Sequence, residues 1–266
     1  MSKIELKHAC LDYTDANASF TALRDLNLSV AEGEFVSIIG SSGCGKSTIL
    51  NVLSGIRSLS KGEFLIDNEP VSGPGKNRGI VFQHYSLFPW MTSRRNISFG
   101  IRQTNGALKN RDADVLASRF LEKVGLKDFE HKYPFQLSGG MQQRVAIARA
   151  LAMRPEILLM DEPFGAIDAK NKLLLQDALM ELLADEREKK TVVFVTHDVD
   201  ESLLLSDRVL FMYNKRIAEE IRVPFSRPRN REAVFKSGEY LKLRERIMAL
   251  FFRDVMENIG GTEVVI

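Results

Sequence analysis

Apolar residues in this chain fall into short runs and three stretches of helical period. Phe35-Val36-Ser37-Ile38-Ile39, Gly79–Phe82, Ile157–Met160, Val192–Val195 and Val209–Met212 lack clean alternation. Such runs predict strands covered on both faces, as in a parallel sheet. Ile4-Glu5-Leu6 and Leu26-Asn27-Leu28-Ser29-Val30 alternate and predict further strands, with Ala31–Glu34 as the turn into the Phe35 strand. Ser47–Gly55 follows that strand as a helix, and helical stretches separate several later runs, so the pattern is α/β. Between about 91 and 153 strand signals fade, while Ala113–Val124 and Met141–Ala152 carry helical spacing. This segment reads as a helical subdomain inserted between two parts of an α/β core.

A tail begins near 222, punctuated by Pro224, Pro228 and Gly238. Within it Leu243, Ile247, Leu250 and Phe251 repeat at helical spacing across Tyr240–Phe252, with Lys242, Arg244 and Arg246 alongside. A basic amphipathic helix of this kind either lies on a membrane surface or packs its stripe on its own domain. The mixed charges of Asp185–Lys190 read as a solvated helix end, and the residues from Ile259 onward as a frayed terminus.

Composition removes some function classes. A charged fraction of 27% with net charge +2 leaves no strong electrostatic footprint for nucleic acid. Cys10 and Cys44 are too few for a disulfide framework and favour a reducing compartment. The N-terminus lacks the apolar core of a signal peptide, and no window offers the 18 or so apolar residues of a membrane span. The expectation is a cytoplasmic chain whose membrane role, if it has one, comes through a partner.

The chemistry is concentrated in three places. Gly40-Ser41-Ser42-Gly43-Cys44-Gly45-Lys46-Ser47-Thr48 follows a strand and opens a helix. Glycines let several backbone N–H groups converge on a triphosphate, Lys46 adds a point charge, and the Ser47 hydroxyl can ligate Mg²⁺. Cys44 suits the loop by its small size. Ile157–Met160 then delivers Asp161 and Glu162 to a strand end, where α/β sheets place their ligands. Asp161 is suited to hold magnesium through water, and Glu162 to take a proton from an attacking water. The structural alternative for these acids is a helix N-cap ahead of Pro163. Third, Ser138, Gly139 and Gly140 open the helix Met141–Ala152, a ready anion site.

The stretch Leu137-Ser138-Gly139-Gly140-Met141-Gln142-Gln143-Arg144 ahead of Asp161-Glu162 resembles the ATP-binding-cassette (ABC) ATPases, over residues from the N-terminus to about 222. The resemblance implies a P-loop (RecA-like) α/β core, an N-terminal antiparallel β subdomain and the inserted helical subdomain. Residues 1–222 would form the nucleotide-binding domain and 223–266 a helical tail. It implies ATP and Mg²⁺, with Ser47, Gln83 and Asp161 at the metal and the loop from Gly40 to Thr48 on the phosphates. Gln83 would also meet the attacking water, and His197 the γ-phosphate. Tyr13 is placed to stack on adenine, with Phe20 as its competitor. Ser138, Gly139, Gly140 and Gln142 would close over ATP held by a second copy, or by a paralogous ATPase subunit, in a head-to-tail dimer. Asp168, in Gly165–Asp168, would lie at that interface; Gly165 and Ile167 stand where the family more often has serine and leucine.

The apolar segment Leu87-Phe88-Pro89-Trp90-Met91 is either buried under the helical subdomain or, as the resemblance implies, a dock for an integral membrane permease spanning Gln83–Thr92. Val71–Gln83, Pro89-Trp90 and Val223–Arg229 narrow the likeness to nitrate, sulfonate, taurine and bicarbonate importer ATPases. A periplasmic or lipoprotein solute-binding protein would then be an indirect partner, and the chain would sit peripherally on the inner face of the cell membrane. Ser93, where that group carries an apolar residue, is a departure. Rival readings are a soluble ABC ATPase of DNA repair or translation, an exporter ATPase, and a catalytically idle binding module. The first usually carries coiled-coil insertions, zinc modules or two cassettes, none of which is visible here, and every catalytic position holds a competent residue.

Overall fold

Four of the apolar runs become strands whose central residues are out of water. In the computed structural model, which describes residues 2–15, 18–165, 167–183, 190–227 and 229–260, the elements follow in this order. β1 (Ser2–Asp15), β2 (Ala18–Ala31), β3 (Phe35–Gly40), α1 (Lys46–Ser54), β4 (Lys61–Ile66), β5 (Glu69–Pro70) and β6 (Arg78–Val81) come first. Next are α2 (Ser93–Thr104), α3 (Asn110–Lys123), α4 (Gly139–Ala152), β7 (Ile157–Asp161) and α5 (Ala169–Leu183). β8 (Thr191–Val195), α6 (Val199–Leu205), β9 (Arg208–Tyr213), β10 (Arg216–Arg222), α7 (Arg231–Phe235) and α8 (Gly238–Gly260) complete the chain. Ala166, most of the charged run at 185–190, Pro228 and the residues after Gly260 lie outside the described residues.

The chain divides into two compact units, Met1–Gly73 with Val193–Ile266, and Pro74–Val192. In the first, β2-β1-β4-β5 form an antiparallel sheet, the N-terminal β subdomain expected above. A second set of strands runs β10-β9-β3, with β9 antiparallel to β10 and parallel to β3. β3 is buried at every residue. The tail belongs to this unit: Tyr240, Leu243, Ile247 and Leu250 of α8 are buried with Val199 and Leu203 of α6 and Val209 and Phe211 of β9. The Leu243/Ile247/Leu250 stripe therefore packs on its own domain, the plainer of the two readings of that helix.

In the second unit β6 and β7 pair in parallel, and α2, α3 and α4 pack on one another. Ala113–Val124 and Met141–Ala152 appear as α3 and α4. α2 has no counterpart in the sequence pattern, because Gly100 interrupts it and its buried face includes Ser93, Asn96 and Ser98. Ser93, the residue that departs from the importer pattern, is 1% exposed, and its N–H and hydroxyl both donate to the Lys132 carbonyl, at 2.8 and 3.1 Å. A buried hydroxyl is tolerated there because it has a partner.

Candidate functional site

The phosphate loop is shaped by glycines at positions where a side chain would be strained. Gly40 has φ +152°, and a Cβ on it would lie 2.3 Å from the Met212 carbonyl oxygen; Gly45 has φ +108° and stands 2.7 Å from Ala22 O by the same construction. Gly45 also serves as the cap position of α1, which has no side-chain cap and no acidic residue in its first turn. The first turn of that helix carries no acidic residue of its own, as suits a helix N-terminus that accepts an anion. Lys46 is buried, and its ammonium donates to the carbonyls of Gly40 (2.8 Å) and Ser41 (2.7 Å). The charge is held in the curl of the loop. Burial raises the Cys44 thiol above its ordinary value, and the nearby Lys46 charge only partly offsets this, so Cys44 stays a neutral packing residue.

Tyr13 and Phe20 turn out to be direct cross-strand partners in β1 and β2, so their rings share one face of the hairpin. Arg57 lies 5.5 Å from the Tyr13 ring centre and the Lys215 amine 4.0 Å from that of Phe20. Both rings are available flat surfaces, each backed by a cation. His197 is exposed in the bend between β8 and α6. Its neighbour Asp198 caps α6 by accepting from Asp200 N (2.9 Å) and Glu201 N (3.1 Å).

In the second unit Asp161 ends β7 and Glu162 follows in the left-handed region, at φ +44°. A non-glycine residue there is held against its preference, a cost of order 1–3 kcal/mol that is usually found where a side chain must be aimed. The Gln83 side-chain amide reaches the Glu162 carboxylate, Nε2 to Oε2, at 3.4 Å. The helix that follows the two acids, α5, starts only at Ala169, and Asp168 is bonded to its first turn, accepting from Asn171 N (3.1 Å) and Asn171 Nδ2 (2.7 Å). Those bonds hold the exposed Asp168 carboxyl below its ordinary pKa. Ser138 caps α4, accepting from Met141 N at 3.3 Å, and Gln142 donates to the Leu137 carbonyl at 3.2 Å. The Tyr85 hydroxyl lies against Gly139, 2.6 Å from where a Cβ would stand.

The sequence profile of the ABC transporter family matches residues 23–165. The nitrate import ATP-binding protein NrtD of Synechococcus elongatus is 46% identical over 237 residues, covering 88% of this chain and 86% of that protein. The chain belongs to the ABC transporter family. The nitrate transport protein NasD of Klebsiella oxytoca is 41% identical over 253 residues, 94% of this chain and 96% of its own length. The bicarbonate transport ATP-binding protein CmpD of Synechocystis sp. is 44% identical over 235 residues, 87% of this chain and 83% of its own. Among solved structures, a dimeric bacterial ABC transporter cassette superimposes with TM-score 0.77 at 35% identity, covering 84% of this chain and all of that one. A cassette bound to ADP and Pi in a dimeric post-hydrolysis state gives TM-score 0.76 at 34% identity over the same share. This chain is accordingly an ATP-binding cassette with ATPase activity.

Two residues of this ABC ATPase escaped the sequence reading. Asn96, wholly buried, sends Nδ2 to the carbonyls of Phe88 (3.2 Å), Met91 (3.0 Å) and Thr92 (3.2 Å), while its Oδ1 accepts from Phe88 N (2.8 Å). It therefore organises the whole 88–92 loop. Phe88 packs edge-on against Phe99 and, tilted by 45°, against Trp90, which remains 68% exposed. The second is Phe135, 77% exposed and stacked on Tyr133 with ring centres 5.7 Å apart, just ahead of the Ser138 cap. A lone aromatic next to proline gives no periodic signal, and an asparagine inside a helix ordinarily reads as surface.

Proposed function

We propose that this cassette is the ATP-hydrolysing subunit of an importer for a small anion such as nitrate, bicarbonate or a sulfonate, working through a separate permease. The observation that carries the hydrolytic reading is Glu162, set in a strained backbone position at the end of β7 with the Gln83 amide at its carboxylate. Glu162 accepts the proton of the attacking water, a role worth about 10²–10⁴-fold in rate. Gln83 orients that water, and His197 donates to the γ-phosphate. Lys46 and the N–H groups of the loop from Gly40 to Thr48 hold the triphosphate, and Tyr13, rather than its partner Phe20, stacks on the base. Among the described residues no cluster of three or more His, Cys, Asp or Glu could cage a metal. That fits Mg²⁺, which takes one or two protein oxygens and completes its shell with phosphates and water. Ser47, Gln83 and Asp161 would hold the ion, which would neutralise charge developing on the transferred phosphoryl group.

Residues 1–222 form the nucleotide-binding domain in this reading, with a helical subdomain at about 91–153, and 223–266 the tail. Ser138, Gly139, Gly140 and Gln142 complete the site of a second subunit when ATP drives head-to-tail closure, and Asp168 lies at the same interface. The dimeric state of the related solved cassettes supports this. The exposed Trp90 and half-buried Phe88 and Met91, on the loop held by Asn96, receive a helix of the permease. Among the described residues no helix is long and apolar enough to cross a membrane, so attachment to the inner membrane face comes through that permease. The anionic cargo is inferred from relatives named for nitrate and bicarbonate transport.

The test is a pull-down of tagged Glu162→Gln from its native cell in detergent, with ATP present. Co-purification of a multi-span permease is the expected result. Recovery of ribosomes or DNA-repair proteins with no membrane partner would overturn the transport reading.

A further inference from the structure

α6 begins two residues after His197 and is only seven residues long, too short to hold itself without outside contacts. The tail grips it at both ends. At its first turn, the Asp200 carboxylate accepts from the Tyr240 hydroxyl at 2.7 Å and from Arg244 Nε at 3.0 Å, both on α8. At its last turn, Arg229 Nη1 donates to the carbonyls of Leu203 (3.3 Å) and Leu204 (2.9 Å). The polarity is right at each end, an acid near the N-terminus and a guanidinium on the C-terminal carbonyls. The Arg229 side chain is 1% exposed, and although burial lowers its pKa to about 10 it remains charged at neutral pH. The Leu203 side chain is itself buried in the cluster that contains Leu243, Ile247 and Leu250.

The start of α6 is tied in turn to the residues on either side of His197. Thr196 Oγ1 donates to Glu201 Oε2 at 2.6 Å and accepts from Asp198 N at 3.0 Å, while Asp198 caps the helix. Thr196, Asp198 and the first turn of α6 therefore move as one piece, and His197 moves with them. We propose that Tyr240, Arg244 and Arg229 are positioning residues for ATP hydrolysis, fixing α6 and through it the placement of His197. The proposal rests on the γ-phosphate role given to His197 above. It makes the tail, which lies beyond the matched residues 23–165, part of the hydrolytic machinery.

The experiment measures kcat and KM for ATP in Tyr240→Phe and Arg229→Lys, each alone and combined with His197→Ala. Tyr240→Phe keeps the ring packed against Phe235 and removes only the donor. The expected result is a kcat about fivefold lower, the rate equivalent of one ordinary hydrogen bond, with KM for ATP unchanged. In the His197→Ala background neither substitution should lower kcat further, because its effect is transmitted through the missing ring. Wild-type kcat in both single variants would overturn the proposal, as would the same drop repeated in the His197→Ala background. A merely structural role predicts that repeat. Wild-type turnover by His197→Ala alone would overturn the role of His197 itself, a failure visible before any tail variant is made.

Discussion

Replacing Asn96 by alanine should release the loop from Phe88 to Thr92 while leaving most of the fold in place. Its amide has two N–H donors shared among three carbonyls, and its oxygen satisfies the Phe88 N–H. That amounts to about three net hydrogen bonds at about 1 kcal/mol each. Alanine recovers up to about 0.7 kcal/mol as the better helix former. The predicted loss is therefore about 2–3 kcal/mol. Asn96→Asp has the same shape but turns an acceptor-only group toward three carbonyl oxygens, and should cost more. Its deficit should shrink at low pH, where the protonated carboxyl can donate again. The assay is urea unfolding followed by two probes, far-ultraviolet circular dichroism and the fluorescence of Trp90, the chain's only tryptophan. Trp90 should report a transition at lower urea than the helices do, and permease binding should weaken although the isolated protein still hydrolyses ATP. A loss below about 0.5 kcal/mol, with the two curves coincident, would refute the role assigned to Asn96.

Other expectations are quicker to check. Glu162→Gln should bind ATP, lose at least about 10²-fold in turnover and accumulate a dimer on gel filtration; turnover at the wild-type rate would remove Glu162 as the base. Gly40→Ala drives a Cβ into the Met212 carbonyl and should cost about 3 kcal/mol, whereas Gly43→Ala, at φ +77° with open space around it, should cost about 1–2; the reverse order in urea would contradict the loop geometry. Iodoacetamide at pH 8 should label the partly exposed Cys10 at least about tenfold faster than buried Cys44, whose pKa is raised. Because that pKa is raised on folding, the contribution of the neutral Cys44 thiol to stability is full below the ordinary thiol pKa and is lost as pH climbs through the folded value. Cys44→Ala should therefore flatten the alkaline end of the stability profile.

The strands nearest the chemistry were the easiest to see in the chain. β3 and β7 are runs of apolar residues because both faces are covered, and the loop and the acids that follow them are compact local patterns. β10 is not legible in the chain, because Glu220 and Arg222 lie on its exposed face and Glu219 interrupts the apolar face between Ile217 and Ile221. α6 is too short to show a period, and α2 buries serines and an asparagine where a periodic pattern wants leucines. The pairing of Tyr13 with Phe20 explains why the two rings could not be separated by reading along the chain: they compete because they are neighbours across the hairpin. Contacts made at long sequence separation, such as Tyr240 with Asp200, leave no mark on local pattern at all, and the cluster of bonds that Asn96 makes to the 88–92 loop, although local, has no period to betray it.

The charges on β10 have a consequence for how the protein survives its own synthesis. This strand is the outer member of the β10-β9-β3 set; in the finished fold β2 lies alongside it, so its backbone is offered to other extended segments only while the chain is folding. Here Glu219 is bridged to Arg246 and Glu220 to Arg208, so a newcomer would have to strip water and partners from a row of ions before it could add. A nascent or refolding chain, crowded by identical copies, thus meets a border that repels strand addition. Substituting valine at 219 and 220 should leave the folded cassette intact yet make it precipitate on refolding from urea.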